Sequence, residues 1–123
     1  VLGDAIGQAL GSKQGIRRMA EASVPMDDAL ARVILDLSGR PYSVIQINWV
    51  SSDVAGIPTS LIEHFFESVA VTSKSNLHLS VLYGKDNHHI AEALFKAFAR
   101  ALDAATQIDK RRADIVPSSK GKI

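Results

Sequence analysis

The chain has no cysteine among its 123 residues. That excludes disulfide frameworks, thiolate metal centres and cysteine nucleophiles, and it is compatible with a cytoplasmic location. Net charge is nearly absent: fourteen basic against thirteen acidic residues leave +1. No broad electrostatic attraction to nucleic acid or to an anionic membrane follows from that balance. No stretch reaches the roughly 18–20 consecutive apolar residues of a membrane span. The run of Gly3, Gly7 and Gly11 is too short for one and contains Asp4, which points to close packing in a soluble core rather than to a membrane helix pair. The first residues lack the basic region of a signal peptide. An initiator methionine is also missing, and Val1 lies inside an apolar helical pattern; the expectation is a piece of something longer.

The chain does have a globular balance, 46% hydrophobic with 22% charged residues. A chain of this length makes one domain and buries roughly two-thirds of its unfolded surface. Val1, Leu2, Ala5, Ile6, Ala9 and Leu10 repeat along one helix face, ended by Gly11 and Gly15. Ala20, Ala22 and Val24 then alternate as a half-buried strand, and residues 25–28 turn the chain. Residues 29–37 fit either a helix or a strand face; the compact turn Ser38-Gly39-Arg40-Pro41 favours strand. Ile45, Ile47 and Trp49 alternate in a third strand. After a loop over 51–58, Ser60 and Glu63 form a capping-box pattern. It precedes a helix carrying Leu61, Ile62, Phe65, Phe66 and Val69. Leu77, Leu79, Val81 and Tyr83 share one strand face, with His78, Ser80 and Leu82 opposite. Asn87 is a candidate N-cap for a helix reaching about residue 108. The order α-βββ-α-β-α predicts an α+β fold, a mostly antiparallel sheet backed by helices.

The strongest chemical signal is His88-His89-Ile90-Ala91-Glu92. On a helix, His88 and Glu92 share a face at i and i+4, and His89 meets Glu92 at i and i+3. Two imidazoles and a carboxylate suit a divalent metal such as Mn, Fe, Ni or Zn. Neighbouring histidines point about 100° apart, so they fit two metals better than one. A helix start with solvated imidazoles is the plainer alternative. His78 is a candidate third imidazole or a singly exposed one, and His64 reads as structural or exposed. Basic residues are scattered at turns: Arg17, Arg18, Arg40, Lys96 and Lys120, the last inside Ser118-Ser119-Lys120-Gly121. Each alone is a surface charge. Together they fit a small phosphorylated ligand, since Arg offers a bidentate fork and Lys a point charge.

The segments Gly15-Ile16-Arg17-Arg18, Val24-Pro25-Met26-Asp27 and Leu35 to Tyr42 carry a resemblance, as do Leu77-His78-Leu79, Asn87 to Leu102 and Val116 to Gly121. In order along the whole chain, they resemble imidazoleglycerol-phosphate dehydratase, a family of histidine-biosynthesis enzymes. The resemblance implies a fold of two duplicated α+β halves. Residues 1–14 then match the last helix of a truncated first half, 15–110 the second half, and 111–123 a phosphate-binding tail. It implies two Mn ions, with His78, His88, His89 and Glu92 as the second half's ligands. Arg18, Arg40, Lys96, Ser119 and Lys120 match its substrate and phosphate contacts. It implies dehydration of imidazole glycerol phosphate to imidazole acetol phosphate, and a large homo-oligomeric cage built from trimers. No catalytic base is assigned; the family's candidate acid belongs to the first half.

The sequence departs from the family pattern as well. The first half's own His-His-x-x-Glu and a further histidine are absent, since the chain has four His. Residues 56–60 lack the acidic residues usual there, and Asp28 stands where Glu is usual. The competing function is therefore a truncated or degenerate chain that acts as a metal-binding, phosphate-binding or assembly module. Two structural expectations follow. His78, His88, His89 and Glu92 should converge at one end of the sheet, and the tail, poor in apolar anchors, should be mobile without ligand.

Overall fold

The computed structural model describes residues 1–123. The elements are α1 (Leu2–Leu10), β1 (Met19–Met26), β2 (Ala29–Asp36), β3 (Tyr42–Gln46), β4 (Asp53–Val54), β5 (Ile57–Pro58), α2 (Thr59–Ser73), β6 (Asn76–Tyr83) and α3 (Asn87–Thr106), followed by a 3₁₀ turn at Lys110–Arg112. The main sheet has the order β1-β2-β6-β3. β1 and β6 flank β2 antiparallel, and β3 joins β6 in parallel. The expected α+β architecture is present. The short β4-β5 pair lies within the stretch read as a loop.

Period-two alternation sorts the sheet into two faces. Ala31, Val33 and Leu35 of β2 and Leu77, Leu79 and Val81 of β6 are buried, beneath α3 on β1 and β2 and α2 on β3. The ambiguous segment 29–37 is a strand because its odd-numbered residues meet this core. Arg32, Ile34 and His78 point to the other, uncovered face. Tyr83 does not continue the buried row as expected; it is 61% exposed, beyond a register shift at Leu30/Ala31.

On α2, Ile62, Phe66 and Val69 face inward while Leu61 stays exposed. Phe66 packs among Phe65, Phe95 and Phe98 with ring centroids 4.9–5.6 Å apart. The expected Ser60/Glu63 capping box does not form. The helix begins two residues earlier than such a cap would set it, after Pro58, with no side-chain cap, and Glu63 instead accepts a hydrogen bond from Trp49 Nε1 at 2.8 Å. α1 lies on α2, where a Cβ on Gly3 would come within 1.9 Å of Thr72 Oγ1. Of the three spaced glycines only Gly3 makes the close approach, since Gly7 and Gly11 meet nothing within 4 Å.

Phe66 is fully buried, so Phe66→Ala is expected to cost about 3–5 kcal/mol of stability. Leu61→Ala, on the exposed face of the same helix, should stay within about 0.5 kcal/mol. Urea denaturation of both variants checks the assignment; equal losses would contradict it.

Candidate functional site

α3 starts where β6 ends, and its first turn carries the histidines. Asp86, not Asn87, caps it: the Asp86 carboxylate accepts from the backbone amides of His88 at 2.7 Å and His89 at 3.2 Å. Asn87 is the first helical residue and is buried. Its amide donates to Ser51 and Asp53 while its oxygen accepts from Val50 N at 2.8 Å. The loop after β3 is thereby tied to the start of the helix.

The two imidazoles have different partners. His88 Nε2 lies 3.2 Å from Glu92 Oε2, and the other Glu92 oxygen accepts from Lys96 Nζ at 2.6 Å. The Lys96 contact, then the His88 ring, holds the Glu92 carboxyl below its usual range. His89 Nδ1 instead contacts Asp28 Oδ1 at 2.5 Å, and its Nε2 faces Asp27 Oδ2 at 3.6 Å. Asp28 also accepts from the backbone amides of Lys85 and Asp86. These hydrogen bonds, His89 first, draw the Asp28 pKa down to about 2, and the same contact raises that of His89. The expected separation of the histidines is present: the rings are 6.1 Å apart at a 68° interplanar angle. With Nδ1 occupied by a carboxylate, Nε2 is the nitrogen that His89 can offer a ligand.

His78 does not converge with them, which corrects the expected grouping. It sits third in β6, opposite Ile34 and Val44, on the uncovered sheet face. α3 packs on the other face and starts beyond the far end of the strand. His78 Nε2 contacts Asn76 Oδ1 at 2.9 Å. His64 is exposed on α2, near Ser68. No group of three or more His, Asp or Glu side chains in the chain could hold a metal ion. The donors at the start of α3 therefore do not close a metal site by themselves.

The basic residues gather at the opposite end of the sheet. Arg18 forks onto Asp36, at 2.6 and 3.1 Å, and donates to Pro117 O at 2.8 Å. Arg40 is exposed in the turn after β2, where Ser38 Oγ bonds its backbone. The tail is docked rather than loose. Gly15 N donates to Ile115 O at 3.0 Å, and a Cβ on Gly39 would meet Ile123 at 2.7 Å. Ser119 and Lys120 are exposed along it. Lys96 belongs to the histidine end. Strands of eight residues separate the two ends, roughly 25 Å at the usual strand rise.

The family profile for imidazoleglycerol-phosphate dehydratase matches residues 1–102. This chain belongs to that family. It is 55% identical over 122 residues to the enzyme of Dehalococcoides mccartyi strain CBDB1, covering 99% of this chain and 62% of that one. Against the Chloroflexus aurantiacus enzyme the identity is 56%, with 99% and 60% covered. Among solved structures, the Staphylococcus aureus dehydratase superposes with a TM-score of 0.84 at 34% identity, over 88% of this chain and 63% of that one. The Pyrococcus furiosus enzyme, in complex with (S)-C348, gives 0.82 at 34% identity, over 98% and 67%. The chain thus spans about 60% of the length of these curated relatives.

Asp27, Asp28, Asp86 and Asn87 were not among the sequence-derived site residues, although they hold the family's histidine helix in place here. Asp27 lies in a segment that carries the family resemblance and Asp28 stands where Glu is usual, but two acids in a turn read by themselves as solvated surface. The Asp28–His89 pair sets a pH dependence in the metal-free protein. Its contribution is full between the ordinary values of 3.8 for Asp28 and 6.5 for His89. It is lost as pH rises through the raised His89 pKa, or falls through about 2. Under chelator, Asp28→Asn should lower the His89 pKa in an NMR titration; an unmoved His89 would show that Asp28 does not set it.

Proposed function

We propose that the protein carrying this chain dehydrates imidazole glycerol phosphate to imidazole acetol phosphate, with catalytic sites shared between copies. One observation carries the reading: the histidine–carboxylate end and the basic end of a chain in this family lie roughly 25 Å apart. A substrate of a few ångströms cannot touch both in one molecule. Symmetric association brings one end of a copy to the other end of its neighbour, which fits the expected trimer-based cage. His78, on the uncovered face toward the basic end, joins such a site only across the same contact.

In this reading Arg40, Ser119 and Lys120 take the phosphate, and Arg18 braces the tail that carries the last two. Holding the phosphate fixes the carbons that react. His88, Glu92 and the Nε2 of His89 face the imidazole end, with Lys96 keeping Glu92 ionised. Mn ions complete this end only with donors from outside the chain; when bound, such an ion stabilises negative charge on an imidazole ring. The competing reading, a metal- or phosphate-binding or assembly module, rests on the open donor set of the single chain.

Subunit mixing separates the two. A His88→Ala/His89→Ala variant and an Arg40→Ala/Lys120→Ala variant of the intact protein should each lose at least about 100-fold in kcat/KM. Co-refolded together, they should regain about a quarter of the native sites if two copies contribute to each. No regain from a properly assembled mixture would reject the shared site, and full activity in either variant alone would reject the residue roles.

A further inference from the structure

The segment 13–18 has a role that the functional reading leaves unexplained. It contains two non-glycine residues in the left-handed region, Lys13 at φ 57° and Arg18 at φ 74°, and both conformations cost energy that the surroundings must offset. It also contains a buried lysine. Lys13 is 9% exposed, and lysine is almost never buried without a partner. Its Nζ donates to the Leu37 carbonyl at 3.2 Å, while Leu37 N donates to the Arg18 carbonyl at 3.1 Å. Leu37 is therefore gripped at both of its backbone polar groups by one short segment, and the Ser38–Pro41 turn begins at the next residue. Burial, then the nearby Arg18 guanidinium, lowers the Lys13 pKa. The charge sits where it is disfavoured, and the carbonyl compensates it.

The tail hangs from the same segment. Gly15 donates to Ile115 O and accepts from Asp109 N at 2.7 Å, and Arg18 holds Pro117 O. Ile123 closes on Gly39, next to Arg40, and lines the same cleft as Lys13.

We infer that Lys13 is a positioning residue for phosphate: its ammonium holds the Leu37 carbonyl and so sets the turn that presents Arg40 beside the docked tail. The inference rests on the phosphate role proposed above for Arg40, Ser119 and Lys120. Lys13 touches no ligand in this account. It acts through Leu37, and its removal leaves a buried carbonyl unpaired and the turn free to shift.

The test uses the intact protein with inorganic phosphate as the probe, alongside steady-state kinetics on imidazole glycerol phosphate. Lys13→Met keeps the apolar stem and removes the donor. It should weaken phosphate inhibition and raise KM together, each about tenfold, with kcat within about twofold. Lys13→Arg, which keeps charge and donor, should restore most of both. If Lys13→Met does not fold, Lys13→Gln decides: its amide is one bond too short to reach Leu37 and should give the same rise. A variant that melts earlier but binds phosphate and substrate as the wild type does overturns the positioning role. The role also falls if Lys13→Arg fails to rescue. Arg40→Ala serves as the reference. If it weakens phosphate and Lys13→Met does not, the functional reading stands and the Lys13 role is rejected. If neither variant changes phosphate binding, the phosphate site itself is wrong and the Lys13 role falls with it.

Discussion

The contact between α3 and the β1-β2 hairpin organises this molecule. Ala91, Ala93, Ala97, Ala101 and Ala105 are all buried along α3, with Ile90, Leu94 and Phe98 between them. Small side chains let the helix lie close to the strands, and the larger ones lock its rotation. That one contact sets the direction of a twenty-residue helix. Its first turn meets the β1-β2 turn, so His89 finds Asp28. Its last turn meets the start of β1, where Arg18 N donates to Ala105 O and Arg17 N to Gln107 O, both at 2.9 Å. The acidic, imidazole-bearing end and the basic end are the two ends of the same packed layer.

The charges at the two ends are differently prepared. At the histidine end each group is already satisfied within the chain: His88 by Glu92, Glu92 by Lys96, His89 by Asp28. An incoming ligand exchanges existing contacts there and gains only the difference. At the basic end Arg18 is committed to Asp36 and the tail, which makes it a brace. Arg40 and Lys120 are exposed, and neither side chain is held in an ion pair. The backbone has been arranged around them by segment 13–18, whose strained residues are held by a buried lysine, a forked arginine and the docked tail. Order is spent on where the free cations sit, while the cations themselves stay available to an anion.

Family membership gives the two ends their meaning, and the geometry limits how they can act. Relatives with this fold are longer than the present chain, and the donors here do not close around an ion by themselves. Both facts point to a function completed by surfaces that meet these ends. The uncovered sheet face carries Ile34, 42% exposed, with His78 beside it.

Local order was legible in the residues alone. The alternation of Ala20, Ala22 and Val24, or of Leu77, Leu79 and Val81, is a property of strand geometry, and the i,i+4 spacing of His88, Glu92 and Lys96 is a property of the helix. Side chains that close in sequence are placed by the backbone period before any packing occurs. What the sequence could not determine depended on register and on the approach of distant elements. The two acids of the turn became the partners of a histidine 61 residues later only because α3 lies across that hairpin. Asn87 lost its expected capping role because the loop after β3 offered it four hydrogen bonds. His78 was correctly read as facing away from the buried row, but it lies near the start of β6 while α3 begins beyond the end of that strand, so the extended residues between them keep it from His88. No local pattern singles out Lys13, and it is buried because its ammonium reaches the Leu37 carbonyl, 24 residues on. Tertiary structure decided these contacts, since each depends on two surfaces whose alignment is determined only when the sheet and helices pack together.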